Sequence, residues 1–455
     1  MSFVPNPLTV KCTKFFLEKY RKEGLPEWVL QFDGPFKELG LEKTCHDLLT
    51  EPFMLLWQRW AKKAMKDGLG TMVVPQVYFE RTPGHNPHAV MKFVLFLSRP
   101  EETLKFGRSH VSKDDELSPV SSKHVVNVSN INEWKMQRRH MADAFLPLGP
   151  LTKSVSTLET MSDQMVINWH KEMDDNNKNV LDIREWMHHT AFGMFVACMM
   201  GDDRAFSPVP DADPLDLHID LYNEYLDDVP FDQSTPLHSL SVRSIFNLEN
   251  VGNASTPKVQ QLKFVKAMSY IGKLINRGEQ RKEGKKLIGP LMERILELNT
   301  EEKISNTLAT LVAGHDTTAY TMQFVLMELA RKPIIQDKVR RECFDILNDI
   351  KHSGHELKYD DLPRFELLTK CICETLRMWN VAGIVFPRIT SFDDYLIGCN
   401  ENENKMEESP KKVLIPKGTK FTFWYYGQHH SKELWGEDVM EWVSNSSSSL
   451  KNLKY

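Results

Sequence analysis

The sequence predicts a mainly α fold with small β-sheets, on three observations. Apolar residues recur at helical spacing through most of the chain. Two β-like runs, Thr71–Phe79 and Val90–Leu97, flank a turn-rich link from Arg81 to Pro87. Four short strand-like runs then gather after Trp379.

In chain order, Met54–Met65 carries Met54, Leu55, Trp57, Trp60, Ala61 and Met65 close to one helical stripe. The hairpin follows, and a helix opens after Ser98-Arg99-Pro100, with proline just inside its start and acids in its first turn. Ser109–Asn130 is polar and reads as a long loop, a type often functional. Helices are expected over Asn132–Phe145, Leu151–Glu172, Leu181–Met200, Pro214–Leu226 and Lys258–Glu283. A further helix spans Thr300 to Lys332, with Thr300 as N-cap and Glu301 and Glu302 in its first turn. It must stop before Pro333, and at 1.5 Å per residue it reaches roughly 48 Å, enough to cross a domain. Pro333–Ile350 and Phe365–Trp379 continue as amphipathic helices. Ile384–Thr390, Tyr395–Cys399, Lys412–Ile415 and Thr419–Tyr425 read as strands, the middle two separated by the polar insertion Asn400–Pro410.

The chain has 455 residues, 41% hydrophobic and 26% charged, the balance of an ordinary globular protein. A net charge of -5 gives no reason to expect a nucleic-acid partner. Seven scattered cysteines point to a reducing compartment rather than a disulfide framework. No segment offers the roughly 18 apolar residues of a membrane span, and the start lacks the pattern of a signal peptide. An amphipathic anchor near Phe15–Leu41 stays open. There is no phosphate-binding Gly-Lys loop, no Gly-x-Ser-x-Gly elbow and no His-Glu-x-x-His helix. His429-His430 reads as a surface pair, and Cys371 and Cys373 point to different helix faces.

Four constellations carry chemistry. In Ala313-Gly314-His315-Asp316-Thr317-Thr318, a mid-helix glycine costs about 1 kcal/mol against alanine, and the polar residues compete with the helix ladder. One reading is a plain helix bend. The other is a helix weakened to admit a ligand, with Gly314 letting a flat cofactor approach and with Asp316 and Thr317 relaying protons. Glu374 and Arg377 share a helix face; the pair is either solvated or, given its apolar flanks, buried with a further partner. Trp134 and Arg138, one turn apart, are both donors and suit a carboxylate; a basic amphipathic helix is the plain alternative. Arg388, after Val385-Phe386-Pro387, is either a second carboxylate clamp or a surface arginine.

In order and spacing these motifs resemble the cytochrome P450 family of haem-thiolate monooxygenases. Trp134-x-x-x-Arg138 is similar to its third-helix signature, Ala313–Thr318 to its central-helix signature, and Glu374-x-x-Arg377 to its Glu-x-x-Arg helix. Leu414–Thr419 and His430–Asp438 continue the likeness, which covers roughly Met54 to Trp442. The resemblance implies a cytochrome P450-like fold, with residues 1–48 as an N-terminal segment, 49–442 as the family domain and 443–455 as a serine-rich tail. It implies haem held by Trp134, Arg138, Ala313, Gly314 and Arg388, catalytic Asp316 and Thr317, and a structural Glu374–Arg377 pair. It further implies an apolar small-molecule substrate and electrons ultimately from NADPH through a reductase, with Lys135 and Arg139 offering positive charge to that partner. The expected location is cytoplasmic or peripheral on the endoplasmic reticulum membrane.

The chain departs from the family after Glu441-Trp442. Val443-Ser444-Asn445-Ser446 replaces the approach to the cysteine loop, so no axial metal ligand, last helix or last strands are expected. Three accounts follow: a piece of a full monooxygenase, an inactive binding or regulatory protein of that lineage, or a helical scaffold unrelated to haem.

Overall fold

A computed structural model describes residues 7–51, 53–66, 70–80, 88–113, 124–126, 128, 130–145, 148–175, 181, 183–202, 271–284, 288–382, 388–398 and 412–442. The expected helix Pro214–Leu226, the start of Lys258–Glu283, most of the Ser109–Asn130 loop, the Asn400–Pro410 insertion, Cys399 and the tail after Trp442 lie outside them.

The described residues are mainly helical. Helices α1 (Pro7–Glu23), α2 (Pro35–Thr50) and α3 (Phe53–Lys66) precede strands β1 (Met72–Glu80) and β2 (His88–Leu97). Then come α4 (Pro100–Ser109), α5 (Ile131–Ala142), α6 (Leu148–Asp175) and α7 (Ile183–Phe195), the last running into a π-helical turn over Val196–Met200. The short α8 (Pro290–Ile295) leads to α9 (Thr300–Arg331), α10 (Pro333–His352) and α11 (Glu366–Met378). Strands β3 (Arg388–Ile389), β4 (Asp394–Ile397), β5 (Lys412–Ile415) and β6 (Lys420–Phe423) follow, then α12 (Tyr425–His429) and α13 (Lys432–Trp435). Among these helices, none is long and apolar enough to cross a membrane.

The four-stranded sheet runs β1-β2-β6-β3, with β2 parallel to β6 and the other pairings antiparallel. Pro75 is tolerated in β1 because that strand lies at the sheet edge. Val73, Val74, Val94, Leu95, Phe96 and Leu97 are all buried, because helices cover the sheet where a free hairpin would alternate with solvent. Each such side chain contributes about 1.5–3 kcal/mol on burial. Phe16 of α1 and Phe36 of α2 pack edge-on against Phe93, so the apolar stripe near Phe15–Leu41 faces this core. Phe15, at 67% exposure, is left outside it.

One expectation is corrected at α9. Asn299, not Thr300, is the N-cap: its side chain accepts from the Glu302 amide, and the Glu302 carboxylate accepts from the Asn299 amide in return. The helix runs unbroken through Gly314. Thr317 and Thr318 hydroxyls donate back to the carbonyls of Ala313 and Gly314 at 2.9 and 3.1 Å, bonds of the kind that bend a helix without breaking it.

Candidate functional site

Helix α9 presents two kinds of surface. Leu308, Leu311, His315, Ala319, Val325 and Leu329 are buried against neighbouring helices. Ala313, Thr317 and Thr318 are exposed halfway along a helix that is otherwise well covered. Gly314 lies on a packed side: a Cβ there would run into the ring of Phe195, the last residue of α7. The glycine therefore serves close helix–helix approach, and Phe195 occupies the space that the sequence reading left for a flat cofactor. Asp316, 42% exposed, lies with Oδ1 3.5 Å from Nδ1 of His188 on α7.

Helix α5 docks on the first turns of α9. The Gln137 amide donates to Glu302 at 3.3 Å, and the Asn306 amide donates to the Gln137 side-chain oxygen at 3.5 Å. The Asn306 side-chain oxygen in turn accepts from the Val125 amide at 2.9 Å. This fixes Trp134 and Arg138 beside the helix. The Arg138 guanidinium stacks 5.3 Å from the centre of the Trp134 ring, which brings the two predicted donors together.

Arg388 reaches the same region from β3. It is half-buried rather than on the surface, stacks 5.2 Å over Phe423, and donates to the Gly107 carbonyl at 2.9 Å. Lys113, paired across a β-bridge with Arg388, lies 5.3 Å over the other partner of the cluster, Trp134, and donates to the Val125 carbonyl at 2.9 Å. Burial first, then the charges of Arg388 and Arg138, push the Lys113 ammonium down to about 8. Burial and Lys113 hold His124 down at about 4, so its ring is neutral at pH 7. Its Nδ1 is buried with no hydrogen-bond partner among the described residues.

Among the described residues, no carboxylate pairs with Lys113, Arg138 or Arg388. Burial, then the charges of Arg388 and Arg138, disfavour the Lys113 ammonium, so an anion with several acceptor oxygens would relieve it. Trp134, Arg138 and Arg388 were legible as motifs. Lys113 and His124 were not, because the loop that carries them has no periodicity and only the fold brings it between α5 and β3.

The Glu374–Arg377 pair is buried, at 4% and 6% exposure. The guanidinium meets the carboxylate in a two-pronged contact of 2.9 and 2.8 Å. Its remaining donors reach the carbonyls of His429, Val439 and Glu441 at 2.9, 2.8 and 3.2 Å. The further partner that burial requires is thus the backbone of the segment after β6. His429 and His430 belong to this packed region and are not a surface pair: burial holds His429 at about 4, and His430 is also lowered.

Five of the described cysteines are poor thiolates. Burial raises Cys12, Cys198 and Cys343, and pushes Cys45 to about 12 and Cys371 to about 11. Cys371 is buried and Cys373, two residues on, is exposed, as their opposite helix faces require.

A mainly helical fold with a long central helix, a small mixed sheet and this arrangement of motifs defines a class that comparison with known proteins names. The family model for cytochrome P450 matches residues 95–438. The chain belongs to the cytochrome P450 family. It is similar to cytochrome P450 4F5 of Rattus norvegicus, 31% identical over 139 residues, which cover 30% of this chain and 23% of that protein. It is also similar to cytochrome P450 52A3-A of Candida maltosa, 32% identical over 151 residues, or 31% of this chain and 27% of that protein. Cytochrome P450 4F8 of Homo sapiens is 31% identical over 139 residues, covering 30% of this chain and 24% of the relative. The matched stretch spans about a quarter of the length of these relatives.

Proposed function

We propose that this chain supplies the carboxylate-binding and proton-handling parts of a haem-dependent monooxygenase that acts on an apolar small molecule. The observation that carries this reading is the cation cluster of Lys113, Arg138 and Arg388 around Trp134. The residues fit haem at two places. The cluster and His124 match its two propionates in charge and in donors, and Ala313, with no side chain beyond Cβ, leaves room for a flat ring against α9.

When bound, the haem iron supplies the activation of dioxygen. Arg138 and Arg388 would neutralise and orient the carboxylates, whose charge would offset the burial and like charges that lower Lys113. Trp134 backs the guanidinium of Arg138. The Asp316 carboxylate, open to solvent on one side, takes up a proton and passes it to the Thr317 hydroxyl one residue on. That hydroxyl turns from the Ala313 carbonyl to deliver it. Exposed Lys135 and Arg139 on α5 offer positive charge to an acidic redox partner, with electrons ultimately from NADPH. A cytoplasmic or peripheral endoplasmic reticulum location accompanies this reading.

One observation favours a second reading, a protein of the same lineage that binds without turnover: burial raises five of the described cysteines and makes them poor thiolate donors. Titration of the full chain with ferric haem tests the common element of both. One saturable site is expected, weakened at least tenfold in the Arg138→Gln, Arg388→Gln double variant. Absence of a saturable site, or equal affinity in the variant, overturns the assignment. A thiolate-type Soret band in the reduced, carbon-monoxide-bound spectrum would select the monooxygenase over the binding protein.

A further inference from the structure

We infer that His188, His315 and Asp316 form a site for one divalent transition-metal ion of the zinc class, clamped between α7 and α9. The site goes beyond the proposed haem function and does not rest on it, and a bound ion would take Asp316 out of the proton relay. One ligand atom from each of the three residues lies within 4.8 Å of the other two.

The chemistry of each ligand is set by its surroundings. His315 is fully buried, and its Nδ1 lies 2.9 Å from the Leu311 carbonyl one turn earlier. A carbonyl oxygen only accepts, so Nδ1 carries the proton and the lone pair of the neutral ring resides on Nε2. A backbone carbonyl on the far ring nitrogen is the contact that orients metal-binding histidines and raises their basicity. His188 comes from the facing helix, its ring edge-to-face with His315 at 6.0 Å between centroids and with Tyr320 at 4.9 Å. Phe192 closes the other side of His315, with centroids 5.4 Å apart.

The spacing also fits. His188 Nδ1 and Asp316 Oδ1 are 3.5 Å apart. Two ligand atoms about 2.1 Å from one tetrahedral ion stand ~3.4 Å apart. Bringing the third ligand to that distance takes a side-chain shift of up to about 1.4 Å, within the reach of ordinary rotamer adjustment. Two imidazoles and one carboxylate, with no thiolate in the group, suit zinc or its neighbours, and the half-open Asp316 side leaves the fourth position to water. A metal here would tie α7 to α9 about two turns along α7 from Phe195, which packs on Gly314. It would also hold the Asp316 carboxylate on the α7 side of its helix. The plain alternative is an interhelical His–Asp ion pair next to a core histidine, which would show no preference for a metal.

The test uses the full chain stripped with a chelator and titrated with Zn2+, then with Co2+ as a spectroscopic probe. One Zn2+ per chain is expected, with tetrahedral cobalt d–d bands and no sulfur-to-metal charge-transfer band. His188→Gln and Asp316→Asn should each weaken the site at least tenfold while the far-UV circular dichroism is unchanged. Unaltered affinity in both folded variants overturns the proposal, and so does a charge-transfer band from cysteine ligation. Should either variant misfold, X-ray absorption of the zinc-loaded parent chain decides: imidazole and oxygen scattering supports the site, and sulfur scattering or absence of bound zinc refutes it.

Discussion

Arg377 and Arg388 carry the same guanidinium and meet opposite fates. Arg377 is buried and satisfied in full: a two-pronged carboxylate, three backbone carbonyls, and the face of Trp435 at 5.2 Å. Arg388 is half-buried, donates to backbone carbonyls, and is bridged to another cation, Lys113, with no acid paired to it among the described residues. A charge whose partners all lie within the protein holds the fold together. A group of like charges, with the Lys113 ammonium lowered first by burial and then by Arg388 and Arg138, would instead be stabilised by an anion from outside the chain. The contrast separates the structural and binding halves of one set of motifs.

The largest expected effect lies on the structural side. Arg377→Ala leaves Glu374 buried without its cation and three carbonyls without a donor, and should cost about 3–5 kcal/mol of stability. Urea unfolding checks it; a loss under 1 kcal/mol would mean that the pair is not the anchor of the segment after β6. A smaller effect lies in the titration of the cation cluster. Lys113 binds its proton less tightly in the folded chain (about 8) than when unfolded (10.5), so the unfolded state holds more protons between those values and stability rises with pH there. Arg388→Gln should move the Lys113 ammonium upward and flatten that rise. For His124 and His429, both near 4 in the fold against 6.5 unfolded, the neutral-ring stability is fully present above pH 6.5 and is lost as pH falls through about 4. Unfolding midpoints across the range, with Lys113→Met as control, show whether the alkaline slope belongs to the cluster.

Much of the fold was legible because long elements announce their period. Helix α9 was expected over Thr300–Lys332 and spans Thr300–Arg331, and the hairpin appears in the expected place. The cap was missed because Asn299 and Thr300 are both good capping residues, and only the reciprocal bonds with Glu302 decide between them. The role of Gly314 was misread because a mid-helix glycine looks the same in sequence whether it admits a ligand or a neighbouring ring; Phe195 lies more than a hundred residues away. The π-turn at Val196–Met200 left no period to detect. Motif spacing found Trp134, Arg138 and Arg388, but convergence of a loop lysine, a loop histidine or His188 is a property of the folded chain alone.

The central claim is that Lys113, Arg138 and Arg388 exist to meet carboxylates, and the most direct measurement compares ferric haem with its dimethyl ester as ligands of the full chain. Esterification removes both negative charges and leaves the ring and the iron unchanged. The account predicts at least tenfold weaker binding of the ester to the parent chain, and near-equal binding of the two ligands once Arg138 and Arg388 are both changed to glutamine. Equal affinity of haem and ester for the parent chain would contradict it.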